Sequence, residues 1–192
     1  MRQMNRQLPR LETARLILTL PTPDFAVRLL AYVSENREHL EPWDPSHPPE
    51  YYTLPYWENA LHRAVKRFES GDAVSFVLLD RLSPSGPVLG RCDFLNIVRG
   101  AFQACYLGYS LDHRAEGKGF MFEALQAAVR FMFDDLKLHR IMANYIPGNE
   151  RSARLLERLG FQKEGYARDY LHLNGAWRDH VLNSLINPNS QP

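Results

Sequence analysis

Apolar and polar positions along this chain alternate in short stretches, interrupted by longer runs of helical period, and the pattern predicts strands framing helices. Arg15 to Leu20 alternates as a half-buried strand does, and Pro21 and Pro23 then punctuate the chain ahead of a helix over Asp24 to Ser34. Pro42, Pro45, Pro48 and Pro49 make a stiff loop that carries Trp43, and helical periodicity resumes from Leu54 to Ser70. Ala73 to Asp80 reads as a strand, and a turn at Pro84 to Gly86 makes Pro87 to Val98 and Ala101 to Leu111 antiparallel neighbours. From Lys118 to Asp135 one stripe of Met121, Leu125, Ala128, Val129 and Met132 marks an amphipathic helix. The series closes with a strand from Arg140 to Ile146, a helix opened by Asn149 and closed by Gly160, and strands around Phe161 to Tyr170 and Trp177 to Leu185.

Composition narrows the class without naming a function. A chain of 192 residues suits one domain, residues 1–192, with a core over about 10–186 and short flexible termini. Its 45% hydrophobic and 23% charged content is ordinary for a globular protein, and a formal net charge of +1 argues against direct nucleic-acid binding driven by bulk charge. Cys92 and Cys105 lie in apolar strand-like runs without a CxxC or a nearby His pair, so they read as small buried thiols of a reducing compartment, and no metal is expected. No apolar run approaches the ~18 residues of a membrane span and Met1 to Pro9 lacks a signal-peptide core, so the expected location is cytoplasmic, with no membrane partner.

Chemistry enters at Arg114-Ala-Glu-Gly-Lys-Gly-Phe-Met121, between a strand and a helix, where several backbone N–H groups can converge on one anion. Gly117 and Gly119 let the backbone approach a phosphate with no Cβ in the way, and Arg114 and Lys118 add positive charge, so the simplest ligand is a phosphorylated cofactor. A Walker A loop needs a glycine where this chain has Asp112 and a Ser or Thr where it has Gly119. A dinucleotide fingerprint needs a third glycine where Phe122 stands. A second motif, Asn149-Glu-Arg-Ser152-Ala-Arg-Leu155, closes at Gly160-Phe161. By itself it reads more readily as a well-capped surface helix.

The two motifs, in this order and spacing, resemble those of the GNAT family of N-acetyltransferases, whose loop pattern is Gln/Arg-x-x-Gly-x-Gly/Ala and whose later helix follows Asn-x-x-Ser/Ala-x-x-Leu. The resemblance implies an α+β (mixed α/β) fold, with a central mixed, mostly antiparallel sheet flanked by helices. It also implies acetyl-CoA as cofactor, its pyrophosphate on the loop amides and its pantetheine arm along the preceding strand. That places Tyr109, Ser110, Leu111, Arg114, Glu116, Gly117, Lys118, Gly119, Phe120, Met121, Asn149 and Ser152 around the cofactor. Strings such as Leu11-Glu-Thr13-Ala-Arg15, Cys105-Tyr-Leu-Gly-Tyr109-Ser and Gly175-Ala-Trp177-Arg-Asp-His180 are similar to the ribosomal-protein alanine N-acetyltransferases of the RimJ type, over about residues 10–186. By that resemblance the acceptor is the N-terminal α-amine of an alanine on a small-subunit ribosomal protein, with ribosome association as a further implication. The same fold also hosts polyamine and antibiotic acceptors, and a coenzyme A-binding assembly factor would carry the same loop.

Where many family members carry a Tyr beside the cofactor sulfur this chain has Leu156, which cannot protonate a thiolate. Ser152, Tyr145 or a water held by Asn149 are the alternatives for that role. The family's strand Glu is also absent between Gln103 and Cys105, leaving Asp93 and Glu41 as candidate proton acceptors. Ser110 is equally a solvent-facing strand residue, and Glu116 suits a helix-start carboxylate. Leu40, Trp43 and Tyr106 are the residues expected to line the acceptor channel.

Overall fold

The structure, a computed structural model, describes residues 7–190. The first six and last two residues, which hold most of the expected flexible termini, lie outside the described residues. Eight strands form one sheet: β1 (Arg10–Glu12), β2 (Leu16–Thr19), β3 (Val74–Asp80), β4 (Gly90–Val98), β5 (Ala104–Leu111), β6 (Arg140–Met142), β7 (Gln162–Leu173) and β8 (Ala176–Ile186). Their order across the sheet is β1-β2-β3-β4-β5-β6-β8-β7, antiparallel at every step except the parallel β5–β6 pair.

Five helices cover the two faces: α1 (Ala26–Glu35), α2 (Arg37–Leu40), α3 (Leu54–Ser70), α4 (Phe120–Asp134) and α5 (Glu150–Arg158). Alternation along the strands sorts the core. Leu16 and Leu18 face α4, whose stripe of Met121, Leu125, Ala128, Val129 and Met132 is buried there with Leu156 of α5. Ile17, Val77 and Leu79 face the other way, toward Leu29 and Val33 of α1 and Trp57 and Leu61 of α3. Each such large apolar side chain taken from water contributes about 2 kcal/mol, so both faces are held firmly.

Three elements depart from the pattern reading. β1 has only three residues, too few to show a period, and exists because it pairs with β2 across the turn at Thr13. On either side of the expected proline loop, Arg37–Leu40 closes one α-turn packed against α1, and Pro49–Tyr52 closes a 3₁₀ turn packed against α1 and α3, neither marked by a periodicity of its own. The strand expected to reach Ile146 stops at Met142. Beyond it Asn144 accepts a hydrogen bond from the Asn183 amide at 3.2 Å, and Tyr145 bridges only to Val181. The chain there stays with β8 and leaves β5.

Candidate active site

That departure opens the sheet. Pairing between β5 and β6 ends at Tyr106 with Met142, so from Leu107 to Leu111 the edge of β5 turned away from β4 has no neighbouring strand among the described residues. A strand edge of this kind offers alternating N–H and C=O groups to an extended ligand. The edge runs into a cleft of about 730 Å³.

The loop after β5 forms one wall. Gly117 and Gly119 have φ of +72° and +77°, the left-handed region that glycine enters without strain, and among the described residues no side chain caps α4 at Gly119. The opening N–H groups of α4, at the positive end of its dipole, are therefore free for an anion. A buried bracket fixes the loop's origin. Asp112, 3% exposed, accepts from the Arg114 amide at 2.8 Å and from its guanidinium at 2.7 and 2.9 Å, while the Asn36 side chain donates to it at 3.0 Å. Hydrogen bonds from Arg114, then from Asn36, hold the Asp112 carboxyl well below the usual carboxylate range. Asn36 Oδ1 also accepts from the His113 amide at 3.0 Å, which ties the loop to the end of α1.

Helix α5 supplies the opposite wall. Asn149 accepts from the Ser152 amide at 3.1 Å, capping the helix, and the Tyr109 hydroxyl donates to Ser152 Oγ at 3.1 Å. Burial pushes the Tyr109 phenol up to about 12, so it keeps its proton through the neutral range. On the other face of β5 the Tyr32 hydroxyl donates to Ser110 Oγ at 2.9 Å.

Most of the cofactor residues expected from sequence meet at this cleft: Tyr109, Ser110 and Leu111 from β5; Glu116, Gly117, Gly119, Phe120 and Met121 from the loop and α4; Asn149 and Ser152 from α5. Leu40 and Trp43 border it from the α2 side. Others lie elsewhere. The Arg114 guanidinium is committed to Asp112 and, at 2.6 Å, to Glu35, so it braces the loop rather than facing the cleft. Lys118 donates to the Arg114 carbonyl at 2.8 Å. Tyr145 packs beside the core near Tyr109 without bordering the cleft, and Tyr106 reaches toward Tyr170. Asp93 is held by Arg91 at 2.8 Å over a separate cavity of about 330 Å³, and Glu41 borders a small hollow of about 100 Å³.

Four residues that shape the cleft are absent from the sequence expectation: Tyr32, Asn36, His39 and Asp44. His39 reaches Glu116 at 3.2 Å, and Glu116 also pairs with Arg151. Tyr32 and Asn36 act on residues 78 and 76 positions away, and no local pattern encodes such distances.

Comparison with known proteins agrees with this geometry. The family described as Acetyltransferase (GNAT) domain matches residues 15–162. The chain is similar to a [ribosomal protein uS5]-alanine N-acetyltransferase of Escherichia coli, 46% identical over 183 residues that cover 95% of this chain and 93% of that protein. Its fold is similar to the crystal structure of a ribosomal-protein-S5-alanine acetyltransferase from Vibrio fischeri, with a TM-score of 0.90, 39% identity, and coverage of 96% of this chain and 100% of that one. It is also similar to Mycobacterium smegmatis RimJ in complex with a CoA-disulfide, with a TM-score of 0.84, 25% identity, and coverage of 95% and 90%.

Proposed function

The chain belongs to the GNAT acetyltransferase family, and we propose that it acetylates the N-terminal α-amine of a ribosomal protein, with alanine of the uS5 type as the first residue. The observation that carries the reading is the likeness to the E. coli uS5-alanine enzyme, which runs through 95% of this chain and so includes the acceptor side as well as the cofactor loop.

The residues present fit acetyl-CoA, the donor that GNAT acetyltransferases use. The uncapped start of α4 after Gly119 suits a pyrophosphate, and the unpaired edge of β5 from Leu107 to Leu111 suits the amide-bearing pantetheine arm. When bound, acetyl-CoA supplies an acyl group already activated as a thioester. The backbone N–H groups of β5 at the cleft polarise a carbonyl placed along that edge, without reorganising as charge develops. The Tyr109–Ser152 hydroxyl pair holds a proton at the cleft wall, a role that Leu156 cannot fill. Since an α-amine has a pKa near 8, part of it is neutral at pH 7 and the demand on a base is modest.

Intact-mass measurement of ribosomal proteins from cells with and without the gene tests the function. One small-subunit protein is expected to lose one acetyl group when the gene is absent. Unchanged masses, together with turnover of polyamines and not of alanine peptides in vitro, would transfer the assignment to a small-molecule acceptor.

A further inference from the structure

Three carboxylates border the cleft, and they differ in what already holds them. Glu116 lies between His39 and Arg151. Glu150 stands in the first turn of α5, 72% exposed, opposite Arg154 at 3.8 Å. Asp44 has neither a hydrogen-bond donor on its carboxylate nor a direct ion-pair partner among the described residues, although it is half-buried between the cleft and the hollow beside it. Leu40, Trp43 and Ser110 border the same cleft.

A carboxylate partly withdrawn from water without a donor is a favourable place for a cation. Arg91 and Asp93 of β4, His47 of the same loop, Tyr32 of α1 and Tyr51 of the 3₁₀ turn are the titratable groups that sense its charge. Arg91 is already paired with Asp93. Burial raises the Asp44 carboxyl above its ordinary value, which makes it a better proton acceptor than a fully solvated carboxylate.

We infer that Asp44 binds the α-ammonium of the acceptor and removes its proton. An N–H bond breaks, an O–H bond forms on the carboxylate, and the electron pair remains on nitrogen as the nucleophile. The inference rests on the α-amine reading above and gives it a specificity element. An α-ammonium, with a pKa near 8, yields its proton to a carboxylate far more readily than a lysine side chain near 10.4.

The test compares wild type with Asp44→Asn on an alanine-initiated peptide between about pH 6 and pH 8. Acetylated product is read by mass, and peptide affinity is read by calorimetry in the presence of coenzyme A. At the acid end the variant is expected to lose about 100-fold in kcat/KM. It should then recover about tenfold per pH unit as free amine accumulates, while wild type stays flatter. The variant should also bind the peptide more weakly yet keep its affinity for coenzyme A, and Asp44→Glu should restore part of the loss. If Asp44→Asn does not fold, Asp44→Ser is read the same way. A variant that matches wild type in rate and pH profile overturns the inference, as does one that loses the same factor at every pH. A wild type that leaves every α-amine unmodified overturns the function itself, a separate result.

Discussion

The two faces of β5 differ in burial and in partners. Cys105 and Leu107, 0% and 6% exposed, lie in the core beneath α4, and Tyr109 follows them toward Ser152 of α5. Tyr106, Gly108 and Ser110 point to the opposite face, where Tyr106 is 38% exposed, a Cβ at Gly108 would meet nothing within 4 Å, and Ser110 is held by Tyr32. One face is dry and packed in the core, which holds the backbone donors of the strand in place, while the other is open and polar, which leaves room for an acceptor. Under the proposed function a single strand would separate holding the donor from admitting the amine, and substitutions should separate the two jobs as well.

The largest effect belongs to the loop that serves the dry side. Gly119→Val forces a β-branched residue to a φ of +77°, costing on the order of 1–2 kcal/mol and displacing the first N–H groups of α4. Coenzyme A affinity by calorimetry is expected to fall at least about tenfold, and acetylation with it. Tyr109→Phe removes the hydroxyl on Ser152 and keeps the ring, so kcat should fall about tenfold or more while coenzyme A affinity stays near wild type. On the open face Gly108→Leu fills the space beside Ser110. Steady-state kinetics should show KM for an alanine peptide rising about tenfold with KM for acetyl-CoA unchanged, and equal changes in both would show that the faces do not divide the work.

A smaller effect concerns the bracket that both sides share. The Asp112 carboxyl is held below its unfolded value, so the stability it lends is present above about pH 4 and lost as pH falls through the folded value. Asp112→Asn should flatten the acid limb of a thermal-melting profile, and an unchanged limb would remove Asp112 from the account.

The dry half of this division was legible in the sequence. The stripe from Met121 to Met132 marks α4, and the glycine pair and the Asn149 cap mark both walls, because each signal is carried by residues within a few positions of one another. The open half was less so. Asp44 and His39 lie in a segment whose short turns are shaped by packing against α1 and α3, and Asn36 acts on Asp112 across 76 residues. The early end of β6 was hidden as well, since Ala143 to Ile146 keeps a strand-like composition while its backbone follows β8. Arg114 shows the converse, a cation that the motif puts near the loop but whose guanidinium pairs with Asp112 and Glu35, partners no local pattern announces.

The central claim is that the free edge of β5 and the start of α4 together hold the cofactor. Backbone hydrogen exchange across Leu107 to Met121, measured with and without coenzyme A, tests it most directly. Added coenzyme A should slow exchange at amides of β5 beyond Tyr106 and of the first turn of α4, leaving β7 unaffected. Unchanged exchange in that segment under saturating coenzyme A would contradict the account.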